Sequence, residues 1–241
     1  MRFVFLFIVT ISLFGAMAPA NAEQLRPKLD DIVEHFLKVV FGKEYNFATL
    51  PPIISKWTDS PVNIILQGLP KPKMVEAASR HLGIISKLTK IKFQQGQPQD
   101  LGPSIDLIFL KRSQMGKINV PGVAPKYIQG LAADPTMVCY FLSWHQPDER
   151  IIKAIVVINN QLDPRRIGSC LLEELTQVMG LPNDAKAYWK TLFNPTDVSF
   201  QHSPWDMLYL KTLYDPRLIP GMTAKQARPV VREIFKKALG K

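Results

Sequence analysis

The stretch that decides the fold is DPRRIGSCLLEELTQVMGLPND, residues 163–184. Asp163 before Pro164 reads as a helix start: a capping side chain, then a proline at a position whose N–H has no helical partner anyway. The helix is expected to run to about Met179 and to stop at Gly180-Leu181-Pro182. At about 100° per residue, Ile167, Leu171, Leu175, Val178 and Met179 form one apolar arc that must face a core. Glu173 and Gln177 stand about 40° apart on the side away from that arc. Glu174 lies between Gln177 and the arc. Gly180 ends the helix and lets the chain turn, which brings Asn183 and Asp184 back towards the same polar face.

Upstream, Ser55 to Gln67 carries β-type residues, best at Val62–Leu66, and Gly68-Leu69-Pro70 breaks the run. Residues 72–89 place Met74, Ala77, Ala78, His81, Leu82, Ile85 and Leu88 on one helical face. Ile91–Phe93 reads as a short strand and Ile105–Leu110 as a stronger one. Residues 112–136 mix Gly, Pro and polar residues and read as a long loop of the kind that forms a lid or cleft rim. Met137–Trp144 and Ile151–Ile158 are apolar runs, the second strongly β-branched, joined by His145–Glu149, two antiparallel strands with a short turn. Helices are expected at about 27–41, 203–214 and 223–239. The order predicts an α/β (α+β) fold with a mixed sheet and a helical C-terminal part. Residues 23–241 are expected to form a single domain, with its core at about 55–184 and a helical subdomain at about 185–241.

The first 22 residues, MRFVFLFIVTISLFGAMAPANA, have a basic start, an apolar run from Phe3 to Phe14 and a small-x-small site ending at Ala22. They read as a secretory signal peptide, too short to span a bilayer. The expected location is therefore secreted or periplasmic. No later stretch reaches the ~18 apolar residues a membrane helix needs. Hydrophobic residues at 46% and charged residues at 21% match ordinary globular usage and exclude wholesale disorder. The 20 prolines are dispersed and punctuate elements without marking a linker. In an oxidising compartment the two cysteines, Cys139 and Cys170, are most simply one disulfide, worth ~3–4 kcal/mol in the chain-entropy model; the alternative is two buried thiols. The formal charge of +10 invites a nucleic-acid reading. However, the basic residues are scattered in pairs, such as Lys111/Arg112 and Arg165/Arg166, and no nucleic-acid module accompanies them. Loss of Arg2 with the signal leaves 29 basic against 20 acidic residues, a net of +9. An anionic cell-envelope component is the partner such a surface suits.

The residues Glu173, Glu174, Gln177, Gly180 and Asn183 fall in the spacing of the zinc-peptidase helix H-E-x-x-H-x-x-G-x-x-H, and the segment resembles that of the metzincins. The glutamate and the glycine match; none of the three histidine positions does. Ser203–Tyr209 is faintly similar to the methionine turn beneath a metzincin metal. The resemblance implies a zincin-like, mostly parallel sheet with an antiparallel edge strand and an active-site-type helix. Over roughly residues 60–225 the chain also resembles an uncharacterised domain family of proteobacterial secreted proteins and lipoproteins. Cys170, Glu173-Glu174, Gln177, Gly180–Asp184 and Leu213-Tyr214-Asp215-Pro216-Arg217 carry that likeness. That family lends no function.

The departure from histidine changes the chemistry. Glu173, Gln177, Asn183 and Asp184 offer only oxygens, which suit calcium or magnesium better than zinc, or no ion at all. If a divalent metal binds, Glu174 is the candidate general base that activates a water. The substrate would then be a peptide laid along strand 137–144. The alternative is a self-satisfied polar network, since Gln177 and Asn183 can both donate and accept, on a non-catalytic envelope-binding protein. His35, His81, His145 and His202 show no H-x-x-x-H spacing. Asp197, His202 and Ser203 lack the G-x-S-x-G elbow that would support a triad.

Overall fold

Five strands form one sheet: β1 (Val62–Gly68), β2 (Phe93–Gln95), β3 (Ser104–Leu110), β4 (Cys139–His145) and β5 (Ile151–Asn159). Their order is β2-β1-β3-β5-β4. β1 runs parallel to β2 and β3, β3 runs parallel to β5, and β4 closes the edge antiparallel to β5. This is the mixed, mostly parallel α/β sheet with an antiparallel edge strand expected from the sequence. The computed structural model describes residues 27–42 and 52–240. The signal segment 1–22 and its Ala22 cleavage site lie outside the described residues.

The helices are α1 (Leu29–Phe41), α2 (Pro72–Thr89), α3 (Arg112–Met115), α4 (Pro125–Ala133), α5 (Pro164–Gln177), α6 (Pro204–Leu213) and α7 (Ala224–Ala238). None of the described helices is long and apolar enough to cross a membrane. β5, IIKAIVVIN, is buried on both faces, as a near-continuous apolar strand must be. Ala154, Val156 and Ile158 point into the larger core, with Leu171 and Leu172 of α5 and Ile85 of α2. Ile155 and Val157 point into a second cluster with Tyr140, Leu142, Met115 and Ile128.

That second cluster corrects the reading of 112–136 as a loop. The segment forms α3 and α4 and covers the sheet's other face. Pro125 starts α4 at its first turn, and Ile128 and Leu131 are buried one turn apart. Nine residues with Gly130 among them are too few to show helical periodicity in sequence. The Arg112 guanidinium donates to the carbonyls of Ala132, Asp134 and Met137, which ties the segment's start to its end.

α1, α6 and α7 share the larger core. Phe36, Tyr209 and Phe235, one from each, meet as rings: Phe36 and Tyr209 edge-on at 5.3 Å, Tyr209 and Phe235 stacked at 5.8 Å. The short segment 53–57 then joins three ends. Ile54 N–H donates to Met222 O at 2.8 Å, just before α7. Lys56, 7% exposed, donates its ammonium to Leu213 O at 3.0 Å and to Leu218 O, at the negative end of α6. Burial pulls that amine down to about 8. Trp57 donates its indole N–H to Val178 O at 2.9 Å, at the exit of α5. The Tyr214 hydroxyl completes the joint, accepting from Trp57 N–H at 3.2 Å and donating to Met179 O at 3.0 Å.

Gly180 makes this joint possible. Its φ is +101°, and a Cβ there would lie 2.0 Å from Ser55 O. A Gly180→Ala variant should lose about 2–4 kcal/mol from the combined strain and clash. Gly83, exposed in α2 with open space around it, is the control. Its alanine variant should gain up to ~1 kcal/mol. Urea unfolding of the two variants beside the parent checks both signs.

Candidate functional site

α5 begins as expected, with the Asp163 carboxylate accepting from the N–H groups of Arg165 at 2.9 Å and Arg166 at 3.1 Å. One turn before Glu173, Cys170 is joined to Cys139 at the start of β4 by a disulfide, with a Cα–Cα distance of 6.0 Å. The bridge fixes the edge strand against the helix.

The polar face of α5 is not turned away from the protein. Gln177 is 1% exposed and Glu174 is 4% exposed. Residues 183–185 fold over this face because α1 holds them. Asn183 N–H donates to Val39 O at 3.2 Å, and His35 lies 2.8 Å from Ala185 O through Nε2. Tyr209 sits on the other ring nitrogen of His35 at 2.9 Å. On the neighbouring side of α5, Thr176 donates to Leu172 O at 2.6 Å and lies 2.9 Å from His202 Nε2.

Within this enclosure the candidate residues divide. Gln177 Nε2 donates to Asp184 Oδ1 at 3.1 Å. Asn183 Nδ2 donates to Lys38 O at 3.1 Å, capping the last turn of α1, and to Asp184 O at 2.9 Å. Gly42 lies so close that a Cβ on it would strike this amide. Burial pushes the Glu173 carboxyl up to about 7, with the charge of Asp184 adding to the rise and Arg166 opposing it. Burial pushes Asp184 up to about 6, against the hydrogen bond from Gln177. Both carboxyls are therefore held above the ordinary carboxylate range, by burial first. Gln177 Oε1 is buried with no hydrogen-bond partner among the described residues.

The donor chemistry limits what ion could sit here. Among the described residues no group of three or more His, Cys, Asp and Glu stands ready to hold a metal. Two carboxyls and the amide oxygen of Gln177 remain, a set for a hard cation and not for zinc. His81 and His202 pack ring to ring at 6.3 Å. Burial first, then His81, pulls His202 down to about 4.

Spacing in the sequence does not single out Ser143, His145 and Glu149, which hydrogen-bond in series at the far end of β4. The sequence carries only the S-x-H alternation, which puts Ser143 and His145 on one face of a strand and says nothing of Glu149. A cleft of about 470 Å³ is lined by Tyr188, Trp189, Lys190, Asn194, Asp197 and Val198.

The raised carboxyls have a consequence for stability. Both bind protons more tightly in the folded chain than unfolded, so the stability they add is present at low pH. It is lost as pH rises from about 4 through about 7. Glu173→Gln should therefore raise stability at pH 8 by about 1–3 kcal/mol and leave it nearly unchanged at pH 4. Urea unfolding of variant and parent at both pH values measures it. His202, held neutral by burial, acts with the opposite sign: its contribution is lost as pH falls from about 6.5 towards 4. It cancels in the comparison of the two proteins.

No curated protein matches the chain. The family model described as "Protein of unknown function (DUF2927)" matches residues 30–233. That span includes all of α5, the turn at 180–184 and the Leu213–Arg217 segment that receives Lys56. The chain belongs to the DUF2927 family of proteins of unknown function.

Proposed function

We propose that the chain is an exported binding protein of the cell envelope, built on a zincin-like scaffold whose α5 site is non-catalytic. The observation that carries this reading is the direction of two amides. Gln177 donates to Asp184 and Asn183 donates to the Lys38 carbonyl. Side chains at the positions of a metal-binding motif are thus engaged in holding the 183–185 turn on α1. The signal-like first 22 residues and the net +9 on the remainder support an anionic envelope polymer or a peptide as ligand. The cleft beside the turn, with Tyr188 and Val198 about half exposed at its rim, is the candidate seat.

The Glu173–Asp184 pair with the unpartnered Gln177 oxygen favours a second reading, a divergent metal-assisted peptide hydrolase. In that reading Glu173, Gln177, Asn183 and Asp184 are the candidate ligands of a hard divalent cation, which would supply Lewis acidity. Glu174 takes the proton of the attacking water. Glu174 is 4% exposed, which places this reading second.

Residues 23–241 should bind lipopolysaccharide vesicles or an envelope peptide fraction at low salt and release them at high salt, read by co-sedimentation. No binding to either at low salt overturns the first reading. Addition of calcium or magnesium should leave the parent's stability at pH 8 unchanged under the first reading. Under the second, either ion raises it, and peptide cleavage disappears in Glu174→Gln.

A further inference from the structure

The string Ser143–His145–Glu149 lies outside the α5 network and has the geometry of a proton relay. Ser143 Oγ is 2.9 Å from His145 Nε2, and His145 Nδ1 is 3.3 Å from Glu149 Oε2. A carboxylate can only accept, so Nδ1 carries the ring proton. Nε2 is then left as the acceptor for the Ser143 hydroxyl. That is the tautomer a serine nucleophile requires. Burial holds His145 below the usual imidazole range against the pull of Glu149, so the ring is neutral at pH 7 and free to take a proton.

Two further observations fix the arrangement. Ser55 Oγ donates to the same Glu149 oxygen at 3.1 Å and so helps to orient the carboxylate. Glu149 also sits at φ +65°, at the end of the tight Gln146–Glu149 turn. Glycine holds such a position without strain, and a glutamate there costs roughly 1 kcal/mol. The side chain has a use that the turn itself does not require. The imidazole and the carboxylate side chains are 6% and 14% exposed, and Ser143, like His145 and Glu149, is a half-buried residue.

We propose that Ser143 is a serine nucleophile with His145 as its general base and Glu149 as the positioning residue, acting on a small acyl ester that approaches the edge strand β4 from solvent. Ser143 Oγ bonds to the acyl carbon as its proton passes to Nε2. The carbon–alkoxide bond breaks, and the imidazolium returns that proton to the departing alcohol. Water, deprotonated by the same nitrogen, then cleaves the acyl-serine, releasing the acid and restoring the hydroxyl. The step needs no cofactor and does not depend on whether α5 binds a ligand or an ion.

The test uses a fluorophosphonate probe, whose phosphorus takes the serine oxygen as fluoride leaves, together with p-nitrophenyl acetate turnover. The parent should acquire one adduct, mapped to Ser143 by mass spectrometry. Ser143→Ala and His145→Ala should acquire none. Glu149→Gln should be labelled about 10²–10⁴-fold more slowly, in keeping with loss of the orienting carboxylate. Glu149→Asp should recover part of that rate. Thermal melting of each variant separates a lost relay from a lost fold. No adduct on well-folded parent, beside a serine hydrolase labelled in the same tube, overturns the proposal. So does an adduct that persists in Ser143→Ala, or equal rates for Glu149→Gln and Glu149→Asp.

Discussion

The contact between Gly180 and the carbonyl of Ser55 is the constraint on which the rest of the molecule depends. A backbone oxygen occupies the space where any other residue would carry its Cβ. That approach lets segment 53–57 reach the exits of α5 and α6 and the start of α7 at once. Lys56 supplies a charge for the carbonyls that α6 leaves open, while Trp57 and Tyr214 satisfy those of α5. The motif residues Gly180 and Tyr214 therefore have structural work whatever the protein binds.

The same joint explains why the acidic face of α5 is enclosed. Once the chain turns at Gly180, residues 183–185 are delivered to α1, and the hydrogen bonds of Asn183 and His35 keep them there. Glu173, Gln177 and Asp184 are brought together under partial burial, where carboxyls prefer to stay protonated. Neutral histidines nearby pull the pH dependence the other way. The enclosure is thus an electrostatic environment first, and its use for a ligand is a separate matter.

Elements with a long, regular pattern are legible in the chain. α2 shows six apolar positions and His81 at helical spacing, and β4 and β5 are apolar runs, aromatic in β4 and β-branched in β5, split by a proline turn. α5 announces its start with Asp163-Pro164 and its end with Gly180. The disulfide follows from there being only two cysteines. α3 and α4 escape because four and nine residues are too short for periodicity to separate from a polar loop. The helical wheel places Glu173 and Gln177 together but cannot show that a turn covers them. That cover depends on partners such as His35 and Ala185, 150 residues apart in sequence. The Ser143 string is likewise visible only when the turn delivers Glu149 to His145.

The joint at 53–57 also has a temporal consequence. Most of its partners, Val178, Leu213, Leu218 and Met222, lie in the last third of the chain, while Glu149 and Ile151 come shortly before it. As the polypeptide is made from its N-terminus, this segment cannot complete its joint until that last third has emerged. Until then Trp57 stays in water and Lys56 remains an ordinary solvated amine. Closure of the joint is therefore a late, long-range event in folding.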